Sequence, residues 1–218
     1  MNEATERIFI SQDWITITLM IVFTLLLLNR IKYGDRFYKL QYILLNNTYI
    51  NSYAKASPTI FNIFNIIFYV VATIIISFLI FIAHNLYKPN QASYDFIFFL
   101  KIVFYVSIFI VVRIIIGVLL GVLFEKEKDQ HYFSFLKISY LGNFSLIILP
   151  FLVINFYFKS DVFSYFLLIA SLVLFLYYYI LIIKNNQTLV FGRSFYFILY
   201  LCTLEIAPFA IILNILIT

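Results

Sequence analysis

The sequence predicts an all-α polytopic membrane protein, with six transmembrane helices and a short cytoplasmic interfacial helix between the first two. Three observations carry this expectation. Of 218 residues, 64% are hydrophobic and 21% aromatic but only 11% charged, roughly half the charged fraction of a soluble domain. Mean hydropathy is +1.02, more apolar surface than a globule of this size can hide. Apolar runs of about 20 residues, enough to cross a bilayer, recur along the whole chain.

The elements follow in order. Residues 1–13 carry Glu3, Glu6 and Asp13 against Arg7. No small-residue cleavage site follows, so this stretch reads as a non-cytoplasmic tail rather than a cleaved signal peptide. Residues 14–218 form a single transmembrane helical domain. Its spans are expected at about 14–31, 60–83, 96–124, 135–158, 162–183 and 195–217, each ended by charge, Asn, Gly or Pro. The first is diluted by Thr16, Thr18 and Thr24, and the sixth holds Glu205 and Pro208.

Loop charge sets the orientation. The loops after spans one, three and five hold Arg30, Lys32, Arg36, Lys39, Lys55, Lys126, Lys128, Lys184 and Arg193, and the opposite side holds Arg7, Lys88 and Lys159. Nine against three places the first set in the cytoplasm and both termini across the membrane.

Between spans one and two, Phe37, Leu40 and Leu44 repeat at helical spacing beside Arg36 and Lys39. This pattern suits a short helix in the cytoplasmic interface, its basic segment Arg30, Lys32, Arg36 and Lys39 on anionic lipid headgroups. A plain linker whose charges only fix topology is the other reading. The short turn Lys159-Ser160-Asp161 makes spans four and five an antiparallel hairpin.

Ionisable groups inside spans cost about 2.5–3.5 kcal/mol each on insertion scales, so they mark where function is sought. Lys101 and Lys137 lie near span ends and can snorkel. Arg113 and Glu205 lie deep. Eleven and ten residues from the cytoplasmic ends of spans three and six, both sit at about 15–17 Å. An Arg113–Glu205 ion pair is one expectation; a protonated Glu205, with Arg113 reaching a headgroup or carbonyls, is the other. Gly117 and Gly121 follow Arg113 at i+4 and i+8, a close-packing face for a helix of this chain or of another copy. Asn143 joins this midplane polar centre. Pro150 and Pro208 each remove a backbone donor, and a kink is expected at both.

Other chemistry lacks its residues. The sequence has no His-Glu-x-x-His motif, and His84 and His131 fall on opposite sides of the membrane, so no metal site is expected. With one cysteine, Cys202, a disulfide framework is excluded. Five glycines form no phosphate loop, dinucleotide fingerprint or nucleophile elbow. Neither a cofactor nor a catalytic residue is expected. The formal charge of +5 is accounted for by cytoplasmic loops, not by a nucleic-acid surface.

The segment Leu199-Tyr200-Leu201-Cys202-Thr203-Leu204-Glu205-Ile206-Ala207-Pro208, the stretch 117–124, and Asn143 followed by Pro150 resemble an uncharacterised family of multi-span inner-membrane proteins from Bacteroidetes-type bacteria, known as a domain of unknown function. The likeness covers about residues 36–218, with Tyr-Leu-Cys-x-x-Glu-x-x-Pro its most specific part. It implies a bacterial inner-membrane location and supplies no activity. The expectation is a non-enzymatic assembly, scaffold or partner-binding component, associated with the lipid bilayer and with a membrane-protein partner or a second copy. The alternative is a transporter or lipid-handling protein built on Glu205 and Arg113.

Overall fold

The structure, a computed structural model, describes residues 13–44, 46, 48–53, 62–87, 95–123, 125, 127–158 and 160–185. Among these the fold is all-α, with seven helices and no strand: α1 (Asp13–Lys32), α2 (Gly34–Gln41), α3 (Thr48–Tyr53), α4 (Ile63–Tyr87), α5 (Phe96–Leu123), α6 (Glu127–Phe158) and α7 (Asp161–Asn185). Five of them, α1, α4, α5, α6 and α7, are long and apolar enough to cross a membrane. The sixth expected span, 195–217, with Cys202, Glu205 and Pro208, lies outside the described residues.

Helix limits depart from the expected spans where polarity was read as a stop. α4 runs on past Ala83 through His84 and Asn85 to Tyr87, because neither residue breaks a helix. α6 starts at Glu127 rather than Phe135, since its polar first two turns need only water, not a helix break. The helix α3 carries no apolar run and was not anticipated.

α4 and α6 form the centre of the bundle. Half of α4's apolar window (50%) is buried inside the protein, against 17% for α5 and 22% for α7. α1 packs on α4, α5 on α4 and α6, and α7 on α6. α1 shows how a peripheral helix docks. Its buried residues Ile15, Leu19, Val22, Leu26 and Asn29 alternate steps of four and three, the narrow stripe of a helix with one neighbouring seam.

The helices alternate in direction, so their ends gather into two layers. At one end Trp14 lies among Phe78, Phe81, Phe96 and Phe99, with ring centroids 5.1–6.4 Å apart, and Phe78 meets Phe156 at 5.1 Å. At the other end α2 and α3 fold against α4 and α6. α6 and α7 form a tight hairpin, clamped where Ser164 Oγ donates to Asn155 Oδ1 at 2.8 Å. The hydroxyls that diluted the first span are satisfied within the bundle. Thr18 and Thr24 donate to the carbonyls of Trp14 and Met20, each at 2.8 Å, and Thr16 meets the Tyr157 hydroxyl at 3.0 Å, so none needs water.

Candidate functional site: two buried polar nodes under α2

The chain leaves α1 at Tyr33, whose φ of −133° and ψ of 47° break the helical path, and re-enters a helix at Gly34. This bend turns α2 back against the bundle, with Arg36, Phe37 and Leu40 facing inward. Phe37 stacks on Phe68 of α4 at 5.8 Å.

Arg36 is the first node. Arg36, expected in an interfacial segment beside lipid headgroups, is 8% exposed, because it shares the inward face of α2 with Phe37 and Leu40. Its Nε donates to the Tyr49 hydroxyl at 3.3 Å and its Nη2 to Asn65 Oδ1 at 3.1 Å. The guanidinium carbon stands 4.3 Å from the Phe64 ring centroid, 5.1 Å from Tyr53, 5.8 Å from Phe135 and 6.0 Å from Tyr49. Each such cation–π contact contributes about 0.5–2 kcal/mol, more as water is excluded. Burial pushes the Tyr49 hydroxyl above its ordinary range, with the neighbouring Arg36 pulling the other way.

Asn143 of α6 is the second node, 1% exposed. Its Nδ2 donates to the carbonyls of Leu40 at 2.9 Å and Gln41 at 3.1 Å. These are last-turn carbonyls of α2, where intrahelical donors run out; Leu40 also accepts from the Ile43 N–H at 3.2 Å. The Tyr178 hydroxyl of α7 donates to Asn143 Oδ1 at 2.5 Å. One amide thus joins α2, α6 and α7. The approach is opened by Gly142 beside it, where a Cβ would lie 3.0 Å from Cδ1 of Phe68.

Of the expected midplane centre, Arg113 and Asn143 lie among the described residues and Glu205 does not. Arg113 donates through Nη2 to the Tyr179 hydroxyl at 2.8 Å. Arg113 and Asn143 are therefore held by adjacent residues of α7, whose side chains diverge by about 100°. Gly117 and Gly121 are both buried, and Gly121 faces α6, with Gln130 Cβ only 2.9 Å from where its own Cβ would be. Pro150 sits inside α6, exposed on its outer side, and the helix continues through it to Phe158. Arg30 and Lys32 are exposed, and the Lys39 ammonium stands 5.5 Å from the Tyr53 ring centroid. Asn65, Tyr49, Tyr178 and Tyr179 were missed. Asn65 was visible as an amide within an apolar span, a residue type that hydrogen-bonds between helices. Among the described residues no three His, Cys, Asp or Glu side chains gather as a metal site would require.

Apolar helices of membrane-crossing length, polar groups matched inside them and broad apolar outer faces define a helical, multi-span membrane protein. Residues 15–216 match the family described as Domain of unknown function (DUF4271), and the chain belongs to it. No curated protein and no solved structure matches the chain.

Proposed function

We propose that the chain is a component of a bacterial inner membrane, with both termini on the periplasmic side and a non-enzymatic role as an assembly, scaffold or partner-binding subunit. The observation that carries this reading is the use of Asn143. The most buried amide of α6 uses both of its N–H groups and its oxygen to fix α2 and α7. In this reading Arg30 and Lys32 lie at the cytoplasmic surface among anionic headgroups, and the outward faces of α5 and α7 meet lipid, a partner helix or a second copy. Purification from the native membrane in mild detergent, followed by mass measurement of the intact particle, is the test. A stoichiometric partner or homo-oligomer is the expected result. A monomer that carries a bound solute overturns the proposal in favour of transport.

One observation favours the second reading, a transporter or lipid-handling protein. Arg113 is half-buried and donates to the Tyr179 hydroxyl, an arrangement suited to an anion anchor, with Glu205 as a protonatable partner. If Arg113 and Glu205 pair, Arg113→Glu and Glu205→Arg each lower folded yield and the double exchange restores it. No restoration removes the pair.

A further inference from the structure

We propose that Arg36 and Lys39 hold a discrete site for one phosphate-type oxyanion, supplied by an anionic phospholipid headgroup at the α2 end of the bundle. This rests on the membrane placement proposed above, and not on the scaffold role.

The inference starts from charge. A guanidinium stays protonated at any physiological pH, so a nine-tenths buried Arg36 needs compensation where it stands. Its described surroundings supply dipoles and π faces only: the Tyr49 hydroxyl, the Asn65 amide oxygen, and the rings of Phe64 and Tyr53. Among the described residues no carboxylate pairs with it. Tyr49 adds no negative charge, because burial keeps its hydroxyl protonated well beyond neutral pH.

The geometry then adds a second cation. Arg36 and Lys39 are three positions apart on α2, hence on one face, and both bear on the same ring. The Tyr53 centroid is 5.1 Å from the guanidinium carbon and 5.5 Å from the Lys39 nitrogen. Two like charges beside one aromatic ring repel each other, and an anion that reaches both relieves that repulsion. Asp35, the only acid on α2, is exposed and one position from Arg36, which turns it about 100° away.

The free donors define the ligand. Nε and Nη2 of Arg36 are committed to Tyr49 and Asn65, while Nη1 bonds to no described residue and carries two N–H groups. Together with the Lys39 ammonium, these offer charge-assisted donors from two directions, which suits a tetrahedral oxyanion. A lipid phosphodiester and free inorganic phosphate share this chemistry. The lipid is the source proposed, since α2 packs at the end of five membrane-length helices.

The test uses the full chain purified in a neutral detergent, with the thermal unfolding midpoint followed during titration with phosphatidylglycerol, phosphatidylcholine or inorganic phosphate. Phosphatidylglycerol is expected to raise the midpoint and phosphatidylcholine to leave it unchanged. Arg36→Lys and Lys39→Gln each weaken the apparent phosphatidylglycerol affinity about tenfold, the loss of one charge-assisted contact. Lys184→Gln, a basic residue near the same end of the bundle, leaves it unaltered. Equal affinity in Arg36→Lys, Lys39→Gln and the native chain overturns the site. Inorganic phosphate that matches phosphatidylglycerol at equal concentration overturns the lipid source. Should Arg36→Lys fail to fold, Lys39→Gln and intact-particle mass spectrometry still decide, because one tightly retained phosphatidylglycerol per native chain is required.

Discussion

Asn143 carries the clearest residue-scale consequence. Its donors reach backbone carbonyls of α2 and its acceptor takes the Tyr178 proton, so Asn143→Ala leaves the buried Tyr178 hydroxyl without its acceptor and the Leu40 carbonyl with the Ile43 N–H alone. Leaving a buried polar group unpaired costs about 1–3 kcal/mol, and thermal unfolding in detergent should register a loss of that order. Asn143→Asp keeps the acceptor for Tyr178 but faces two carbonyls with oxygen instead of N–H, and should fold no better than the alanine variant. Tyr178→Phe removes one hydrogen bond alone and should cost less than either. Asn143 was legible in the sequence as a polar residue among apolar ones; its partners at Leu40 and Gln41 were not. Those are main-chain atoms, which every residue possesses, so nothing in the side-chain pattern points to them. The burial of Arg36 was hidden for a related reason. A basic residue beside a lipid boundary reads as exposed until the tertiary contacts show Phe64, Tyr53 and Phe135 arranged to take it in.

At the level of elements, two glycines set helix separations and one non-glycine bears a strained turn. Gly142→Ala would place a methyl 3.0 Å from the Phe68 ring, and Gly121→Ala one 2.9 Å from Gln130 Cβ. Both should destabilise by about 1–3 kcal/mol, as overpacked contacts do. Gly34→Ala, with nothing within 4 Å, supplies the comparison and should be the mildest of the three. Between α5 and α6, Glu125 adopts φ 55°, the left-handed region in which glycine ends a helix without steric penalty. Glu125→Gly is therefore expected to raise stability by about 0.5–1 kcal/mol, net of the freedom glycine adds to the unfolded chain. The spans themselves were the most legible part of the fold, because length and hydropathy alone determine them. Helix ends were less so. Hydropathy reports where lipid stops, whereas α4 and α6 continue as helices into polar surroundings.

For the whole molecule, alternation of helix direction places Tyr38 and Lys184 at one end and Asp95 and Asp161 at the other. Single cysteines at these exposed positions, introduced after Cys202→Ser, should label in two groups. Tyr38→Cys and Lys184→Cys are expected to react from the cytoplasmic side of sealed vesicles, and Asp95→Cys and Asp161→Cys from the opposite side. Mixed labelling within either pair would break the antiparallel arrangement. Labelling of both pairs with sides exchanged would keep the fold and reverse the orientation. The hydrogen bond from Asn143 to Leu40 joins residues 103 positions apart, and Tyr178, which completes the node, is made 35 residues later still. At synthesis rates of about 5–20 residues per second, the α2 terminus waits on the order of ten seconds for the amide that fixes it. During that interval the ribosome delivers α4 and α5 to the membrane, and Arg36 and Phe37 can already meet Asn65, Phe64 and Phe68 of α4, while the last-turn carbonyls of α2 lack the Asn143 amide. The fixing of the α2 C-terminus is thus a late event in biogenesis, and signals that α6 and α7 have arrived.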